Sequence, residues 1–354
     1  ARPWSLGAAG EGGEMVAGGR GRGAGPCQLH RPFRVFADDA GTVFVVDRNN
    51  ARVTRWDPGG RSGVVVAGGG RPGGGLGQLD QPSGVFVHRG SVYVSDRANH
   101  RVMRWDTGAR EGVVVAGGRG FGGRSDQLAC PAAVVVTEDG TVLVADEAND
   151  RVQAWPSGAT EGVTVAGGTA PGGGAGELYH PLGLCLGGAG GPTPELFVAD
   201  SLNYRVQRAP LPAACRDQAQ PPALGYAGTT VAGGLGLGPG PEQLGQPVSV
   251  CLDDRGVLYV ADADNGRVQV VPPAAQRAAS ERRPPASTLD DAQRTLTAGV
   301  VTEFREGPGF GFIKAAGKRY FAHHSDIRLE VRRGYPALRK GDLVEFFPRP
   351  DEKW

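Results

Sequence analysis

Lysine is missing from most of this chain. The four lysines of the 354 residues all lie in the C-terminal part, at Lys314, Lys318, Lys340 and Lys353. Residues 1–296 carry 27 arginines against 29 aspartates and glutamates, a balance of −2. Residues 297–354 carry 7 arginines and 4 lysines against 8 acidic residues, a balance of +3. The charge of the tail therefore favours a polyanionic partner.

Cysteine pairs and long apolar runs are also lacking. Cys27, Cys130, Cys185, Cys215 and Cys251 include no Cys-x-x-Cys pair, which argues against a zinc ribbon or a thioredoxin-like site. Scattered thiols in odd number fit a reducing compartment, so we expect a cytoplasmic or nuclear protein. No run reaches the roughly 18 apolar residues of a membrane-spanning helix, so no membrane partner is expected. The chain begins at Ala1 rather than Met, and we expect its N-terminus to be missing, which leaves a signal peptide open.

Glycine and proline are abundant, with 60 and 27 residues, and they belong to a repeat. The pattern Asp-x-x-Asn-x-Arg-Val begins at Asp47, Asp96, Asp146, Asp200 and Asp262, in steps of 49, 50, 54 and 62 residues. Each Asp ends a β-rich run such as SVYVSD, and further runs such as VVVAGG flank it. One unit thus predicts four short strands joined by glycine turns, which is typical of a propeller blade.

The repeat resembles that of NHL-repeat propellers, in its Gln-Leu-x-x-Pro lead-in and its Ala-Asp-x-x-Asn-x-Arg-Val core. The resemblance implies an all-β fold, with a propeller of five blades over residues 1–272 and a sixth blade left open. The last unit lacks a VAGG run, whereas Met15–Ala17 leads into Gly18-Gly19 with no complete unit before it. We therefore expect Met15–Ala17 to pair with the last blade and close the ring.

The sequence changes character twice after the repeats. Residues 273–297 are rich in Pro, Ala and charge without a strand pattern, and they predict a flexible linker. Residues 298–354 contain GFGFI and YFAHHSDI, which resemble the two nucleic-acid-binding motifs of cold-shock domains. This resemblance implies a small five-stranded OB-type barrel that binds single-stranded nucleic acid.

Aromatic residues make this segment a candidate binding surface. Phe310 and Phe312 stand two apart, so on a strand they share one face, where rings can stack on unpaired bases or form a core. Cations such as Lys314 can meet the phosphates. The resemblance assigns base stacking to Phe310, Phe312, Phe321, His323 and Tyr335, and His324 is a further candidate for stacking. Phe304 belongs to the predicted nucleic-acid-binding set as well.

Two positions depart from the cold-shock pattern. Glu303 stands where the family has a stacking tryptophan, and its charge would repel phosphate. Pro308 stands where the family has a lysine. We therefore expect weaker binding than is usual for the family, over fewer nucleotides.

We predict a non-enzymatic protein that binds single-stranded RNA, or DNA, through the tail, with no cofactor and no metal. The propeller would serve as a platform for an unknown protein partner or as a second RNA surface. The alternative is a propeller enzyme of the lyase or lactonase type, or an extracellular interaction protein, with a barrel that does not bind. The repeated Asp, Asn and Arg could be catalytic, but their presence in every unit favours a structural role.

Overall fold

The computed structural model describes residues 15–168, 171–187, 194–211, 228–281, 297–305, 310–315, 318–323, 327–328 and 343–346. The chain divides into two compact units, Ala1–Pro284 and Pro285–Trp354. Within the described residues no helix is both long and apolar enough to cross a membrane.

The first unit is a propeller of five antiparallel sheets, which confirms the predicted five blades. In each sheet the strands follow chain order from the inside outwards. The first two sheets contain β1 (Pro32–Ala37), β2 (Val43–Asp47), β3 (Arg52–Trp56), β4 (Val64–Gly68), β5 (Pro82–His88), β6 (Ser91–Asp96), β7 (Arg101–Trp105) and β8 (Val113–Gly117). The next two contain β9 (Pro131–Val136), β10 (Val142–Asp146), β11 (Arg151–Trp155), β12 (Val163–Gly167), β13 (Pro181–Gly187), β14 (Glu195–Asp200), β15 (Arg205–Pro210) and β16 (Thr229–Gly233). The fifth contains β17 (Pro247–Leu252), β18 (Leu258–Asp262) and β19 (Arg267–Val271).

The repeated motif forms the hairpin between the second and third strands of a sheet. In the third sheet, Asp146 ends β10, a short 3-10 turn covers Glu147–Asn149, and Asp150 adopts a left-handed conformation with φ of 51°. Arg151 then begins β11 and pairs with Asp146 across the two strands. The same turn and left-handed residue recur in the first, second and fourth sheets, so the motif repeats a conformation as well as a sequence.

The innermost strands meet at the hub of the propeller, two residues after each strand's initial proline. Four of the residues at this position are small, namely Gly84, Ala133, Gly183 and Ser249, and the fifth is Arg34. A Cβ on Gly183 would lie 2.8 Å from the Cα of Ser249, so neighbouring backbones approach too closely for a side chain there. The Arg34 side chain crosses the hub instead, and its Nη2 donates to Leu182 O at 3.0 Å and Val248 O at 3.2 Å.

Apolar side chains fill the spaces between successive sheets. Phe44 and Val46 of the first sheet pack with Val94 and Met103 of the second, and comparable clusters join the second to the third, the third to the fourth and the fourth to the fifth. The indole rings of Trp56, Trp105 and Trp155 are almost fully buried.

The fifth sheet differs from its neighbours and from the prediction. It has three strands, and Met15–Ala17 form no strand with β19 or with any other described residue. The predicted closure by this segment is therefore wrong for the described structure.

The predicted linker begins with a helix, α1 (Pro273–Glu281). The Gln276 side chain anchors it, because Nε2 donates to Gly256 O at 2.8 Å and to Val271 O at 2.9 Å. Residues 273–281 of the predicted linker are therefore held against the propeller by hydrogen bonds. Residues 282–296 of the predicted linker lie outside the described residues.

The second unit contains a five-stranded antiparallel sheet. Its strands are β20 (Thr297–Arg305), β21 (Phe310–Ala315), β22 (Lys318–His323), β23 (Ile327–Arg328) and β24 (Leu343–Phe346), in the order β22-β21-β20-β24-β23. The all-β character of the chain thus extends to this unit. Closure of the sheet into an OB-type barrel stays a prediction.

Close packing at the hub predicts a large penalty for a single methyl group. We expect Gly183→Ala to lower the free energy of unfolding by roughly 1–3 kcal/mol, because the new Cβ would collide with the backbone of Ser249. Gly70→Ala is the matched control, since no atom lies within 4 Å of a Cβ there. Denaturant unfolding of both variants checks this, and equal stabilities would contradict the close approach.

Candidate functional site

The Asp-Asn-Arg set forms a closed cluster in each sheet. In the third sheet, Asp146 Oδ2 accepts from Arg151 Nε at 2.7 Å and from Asn149 Nδ2 at 2.8 Å, while Oδ1 accepts from the Ala129 backbone N–H at 2.6 Å. The remaining guanidinium donors of Arg151 bind three backbone carbonyls within residues 123–127, at 2.8 to 3.1 Å. The cluster therefore ties the hairpin to the glycine-rich loop that leads into the sheet.

The same arrangement occurs in all five sheets, with Nε–Oδ2 distances of 2.7 to 2.9 Å between Arg and Asp. Burial raises the pKa of the Asp96, Asp146 and Asp200 carboxyls, while the Arg, Asn and backbone donors around them lower it. These donors offset part of the desolvation of a buried charge, and the pKa of each of the three carboxyls stays above its ordinary value. The Asp, Asn and Arg side chains of each cluster bind one another and the protein's own backbone. This geometry agrees with the structural role predicted for them.

A second set of contacts joins neighbouring sheets through the residue that follows each motif Asp. Arg48 Nε donates to Gln81 Oε1 at 2.9 Å, and Arg97 Nη2 donates to Glu147 Oε2 at 2.9 Å. His180 Nδ1 lies 3.6 Å from Glu147 Oε1 on its other side. Ser201 Oγ of the fourth sheet donates to Pro247 O of the fifth at 2.5 Å. In the fifth sheet this position is Ala263, whose methyl group cannot make such a bond.

Glu147 is the most strongly perturbed carboxyl of this set. Its burial would raise its pKa, but the Arg97 guanidinium, and then His180, lower the pKa to about 2. Glu147 is thus held as an anion between a cation and a histidine on adjacent sheets. This arrangement links neighbouring sheets through charge. A general acid would need a raised pKa, whereas that of Glu147 is lowered.

The Arg34 side chain occupies the hub of the propeller. Burial lowers the pKa of Arg34 to about 10, and its guanidinium fills the space among the inner strands. Within the described residues no group of three or more His, Cys, Asp and Glu side chains converges. The propeller histidines serve separate sheets: His30 Nε2 lies 3.2 Å from Asn49 Nδ2, and His100 Nδ1 accepts from the Cys130 backbone N–H at 3.2 Å.

A depression of about 490 Å³ lies between the first two sheets at their rims. Its charged groups are engaged locally. Asp38 Oδ1 accepts from the Thr42 backbone N–H at 2.8 Å, and Arg55 Nε lies 3.1 Å from Asp57 Oδ1.

A basic patch near the start of β1 was missed by the sequence analysis. The Arg48 guanidinium lies 4.5 Å from the centre of the Phe33 ring, which is 54% exposed. Burial lowers the pKa of Arg48, and the nearby charges of Arg97 and Arg31 lower it further. The signal was present in the sequence, because arginine follows the motif Asp in the first two units alone.

The predicted nucleic-acid residues divide between described and undescribed parts of the second unit. Phe304 lies on β20, Phe310, Phe312 and Lys314 on β21, and Phe321 and His323 on β22. His324 and Tyr335 lie outside the described residues.

The strand register brings the central candidates together. Phe310 pairs with His323 and Phe312 with Phe321 across β21 and β22. On the other side of β21, Arg305 pairs with Phe310 and Glu303 with Phe312. Paired residues of antiparallel strands occupy the same face of a sheet. Phe310, Phe312, Phe321 and His323 therefore form two cross-strand rows on one face, one of which begins at Glu303. Phe304 pairs with Gly311 and belongs to the opposite face, so the register does not bring it together with the other candidates.

Comparison with known proteins supports the repeat itself. Residues 244–271 match the family model for the NHL repeat. No curated protein matches the chain.

Three solved structures share part of their shape with the chain. An auxiliary nutrient binding protein from Bacteroides ovatus is 16% identical, with a TM-score of 0.49, over 68% of this chain and 59% of that one. Virginiamycin B lyase from Staphylococcus aureus is 10% identical, with a TM-score of 0.40, over 69% and 67%. A gluconolactonase from Xanthomonas campestris is 15% identical, with a TM-score of 0.44, over 87% and 83%. The chain thus spans less than two thirds of the length of the nutrient binding protein, and likeness at this level says nothing about binding or activity.

The perturbed carboxyl predicts a pH effect on stability. A carboxyl with a folded pKa below its unfolded value stabilises the protein above the unfolded pKa, and this contribution is lost as the pH falls. Between about pH 4.5 and pH 2, wild type should lose on the order of 1–3 kcal/mol more unfolding free energy than Glu147→Gln. Glu138→Gln, at an exposed position, should keep the wild-type slope. Denaturant unfolding measured as a function of pH tests this. If the unfolding free energy of wild type and of Glu147→Gln falls equally with pH, Glu147 does not stabilise the contact between the sheets.

Proposed function

We propose that this protein binds single-stranded nucleic acid, RNA in the first place, through the β20–β22 face of its second unit. The observation that carries the proposal is the register that sets Phe310 opposite His323 and Phe312 opposite Phe321. Adjacent rings on a sheet form a platform on which successive bases can stack without sequence readout. The cold-shock resemblance of the same segment supports this interpretation.

Charge supports the same face. Lys314 pairs with Arg319 two residues along from the Phe312–Phe321 pair, so both cations share the face of the aromatic rows, whereas Lys318, which pairs with Ala315, belongs to the other face. Arg305 adds a cation to the row that contains Phe310 and His323. Phosphates that lie beside stacked bases would meet these groups, and binding should weaken as salt rises.

The propeller would act as a binding scaffold rather than an enzyme. Arg34 occupies the hub, and the Asp-Asn-Arg clusters use their polar groups on the protein's own backbone. The exposed Phe33 with Arg48 above it offers a place for a protein partner. A cytoplasmic or nuclear location remains part of the proposal, and the free thiols of Cys27, Cys185 and Cys251 fit it.

The stacking platform predicts a loss of affinity when a ring is removed. Phe310→Ala and Phe321→Ala should each weaken binding of a pyrimidine-rich single strand by on the order of 1–3 kcal/mol, with the melting temperature nearly unchanged. Fluorescence anisotropy with the full chain at two salt concentrations measures this.

The control for these variants is Phe33→Ala, which removes an exposed ring from the propeller. It should leave the affinity near that of wild type. If Phe33→Ala weakens binding and both second-unit variants do not, the site lies on the propeller and the proposal is wrong.

Glu303 offers a change in the opposite direction. It pairs with Phe312, so it extends the aromatic row with a negative charge. Glu303→Trp should tighten binding by on the order of 1–3 kcal/mol, because it replaces repulsion by one more stacking ring. Glu303→Gln separates the two effects, since it removes charge without adding a ring. Fluorescence anisotropy titration measures the affinities. If Glu303→Trp does not bind the single strand more tightly than wild type, the row that begins at Glu303 does not contact the nucleic acid.

A further inference from the structure

The outer edge of β19 differs from that of the other third strands. Each of the first four sheets has a fourth strand beside its third, whereas no strand in the described part of the chain pairs with the outer edge of β19. The side chain of Arg267, which begins β19, is 29% exposed, against 8 to 9% for the corresponding arginines. Val268 and Val270 are 66% and 52% exposed. An exposed apolar edge of this kind is a template to which another strand can add.

The fourth strands of the other sheets share one sequence and one pair of anchoring hydrogen bonds. In the third sheet, Gly162 N donates to Ser125 O in the lead-in loop at 2.8 Å, and Gly168 N donates to Asp150 O, just before the motif Arg, at 3.0 Å. The equivalent distances in the other three sheets are 2.7 to 2.9 Å and 3.0 to 3.1 Å. Each pair of bonds encloses a run Gly-[Val/Thr]-[Val/Thr]-Val-Ala-Gly-Gly, at residues 63–69, 112–118, 162–168 and 228–234.

Two positions inside this run allow only small residues. Ala166 pairs with Val152 of the third strand and is 1% exposed. Gly167 has a φ of +66°, and a Cβ there would lie 2.2 Å from Asp150 O. The end of the run therefore requires glycine for its conformation and for the close approach to this carbonyl.

The fifth sheet keeps both acceptors that anchor a fourth strand. Pro241 holds the place of Ser125, three residues before the lead-in leucine, and Gly266 holds the place of Asp150. Pro241 O accepts from the side-chain Nε2 of Gln269 on β19, rather than from the glycine N–H that its counterparts bind. Gly266 is exposed. The fifth sheet thus presents the acceptors and the edge of a fourth-strand site.

We propose that β19 binds an extended segment of a partner protein with the pattern Gly-[Val/Thr]-[Val/Thr]-Val-Ala-Gly-Gly, as an added fourth strand. The first N–H of the segment would bond to Pro241 O and the last to Gly266 O, with the alanine opposite Val268. In such strand addition the main-chain hydrogen bonds give affinity and the side-chain positions give specificity. The inference rests on the scaffold role proposed for the propeller, and it names the chemistry of the partner.

A synthetic peptide tests the site. The probe is the sequence of residues 161–168, EGVTVAGG, acetylated, amidated and labelled with a fluorophore. Fluorescence anisotropy with the full chain should show saturable binding of one peptide per chain. Sarcosine in place of Gly168 removes the last N–H, and Gly167→Ala adds the colliding Cβ, so each should weaken binding at least about tenfold. The peptide with Thr164→Val, which has the residues of the second sheet, is the matched control and should bind like the parent.

A photo-crosslink locates the bound peptide. Val163 pairs with Ala154 in its own sheet, and the counterpart of Ala154 on β19 is Val270. A diazirine-bearing leucine in place of Val163 should therefore label the tryptic fragment 268–277, which mass spectrometry identifies. Labelling confined to other fragments would overturn the assignment to β19.

A variant of the edge gives a second measurement. Val268→Asp should weaken peptide binding about fivefold or more, because aspartate is disfavoured in strands and this one would lie opposite the alanine of the peptide. Val64→Asp places the same charge at a 51% exposed valine on β4 and should bind the peptide like wild type. Melting temperatures near that of wild type exclude unfolding as the cause.

Two further results would overturn the inference. The first is no saturable binding to wild type, or equal affinities for the parent, sarcosine and alanine peptides. The second is self-association of the full chain by light scattering that Val268→Asp abolishes, without peptide binding, which would assign the edge to a second copy. Affinity for a pyrimidine-rich single strand is measured on the same samples, and Val268→Asp should leave it unchanged. Loss of peptide binding with nucleic-acid binding intact would therefore contradict this inference alone.

Discussion

The buried Asp–Arg contact within each Asp-Asn-Arg cluster is the interaction on which the propeller depends. The carboxylate of Asp146 accepts from its own hairpin, from Arg151 and from the backbone N–H of Ala129 before the inner strand. One side chain thus fixes the turn, the start of the third strand and the path of the lead-in loop. The buried carboxylate is tolerated because three donors, one of them a guanidinium, offset its desolvation, and loss of the Arg151 partner would leave a buried charge without its counter-ion.

This use of polar groups bears on function. The Asp-Asn-Arg clusters look catalytic in the sequence, but their polar groups bind the protein's own backbone. Arg34 fills the hub where the inner strands converge. What remains available to a ligand is the surface: the basic patch around Phe33 and Arg48, and the cross-strand rows of the second unit. The proposed nucleic-acid platform uses the second of these surfaces, in the part of the chain that holds all four lysines.

The contacts between neighbouring sheets are not equal around the propeller. Contacts made by the residue after the motif Asp link the first four sheets to the next, through pairs such as Arg97 and Glu147, but Ala263 cannot continue the series. The exposed Val268 and Val35 stand at this same step. The first and fifth sheets touch through Arg34 at the hub, so the exposed valines lie in the outer part of this step.

The repeat alone determined the number of sheets, the strand positions and the structural role of Asp, Asn and Arg, because these depend on contacts within about 30 residues and recur five times. The aromatic spacing of Phe310 and Phe312 likewise predicted a shared face. Only the tertiary structure decided which residues meet around the ring: Arg34 contacts Ser249 from 215 positions away, and Glu147 lies between Arg97 and His180 of different sheets. The angle between successive sheets sets these contacts, and no local pattern encodes it. The tertiary structure also left the fifth sheet with three strands, against the closure by Met15–Ala17 that the sequence suggested. The helix over Pro273–Glu281 is held by a hydrogen bond from Gln276 to Gly256, a contact that the sequence pattern does not show.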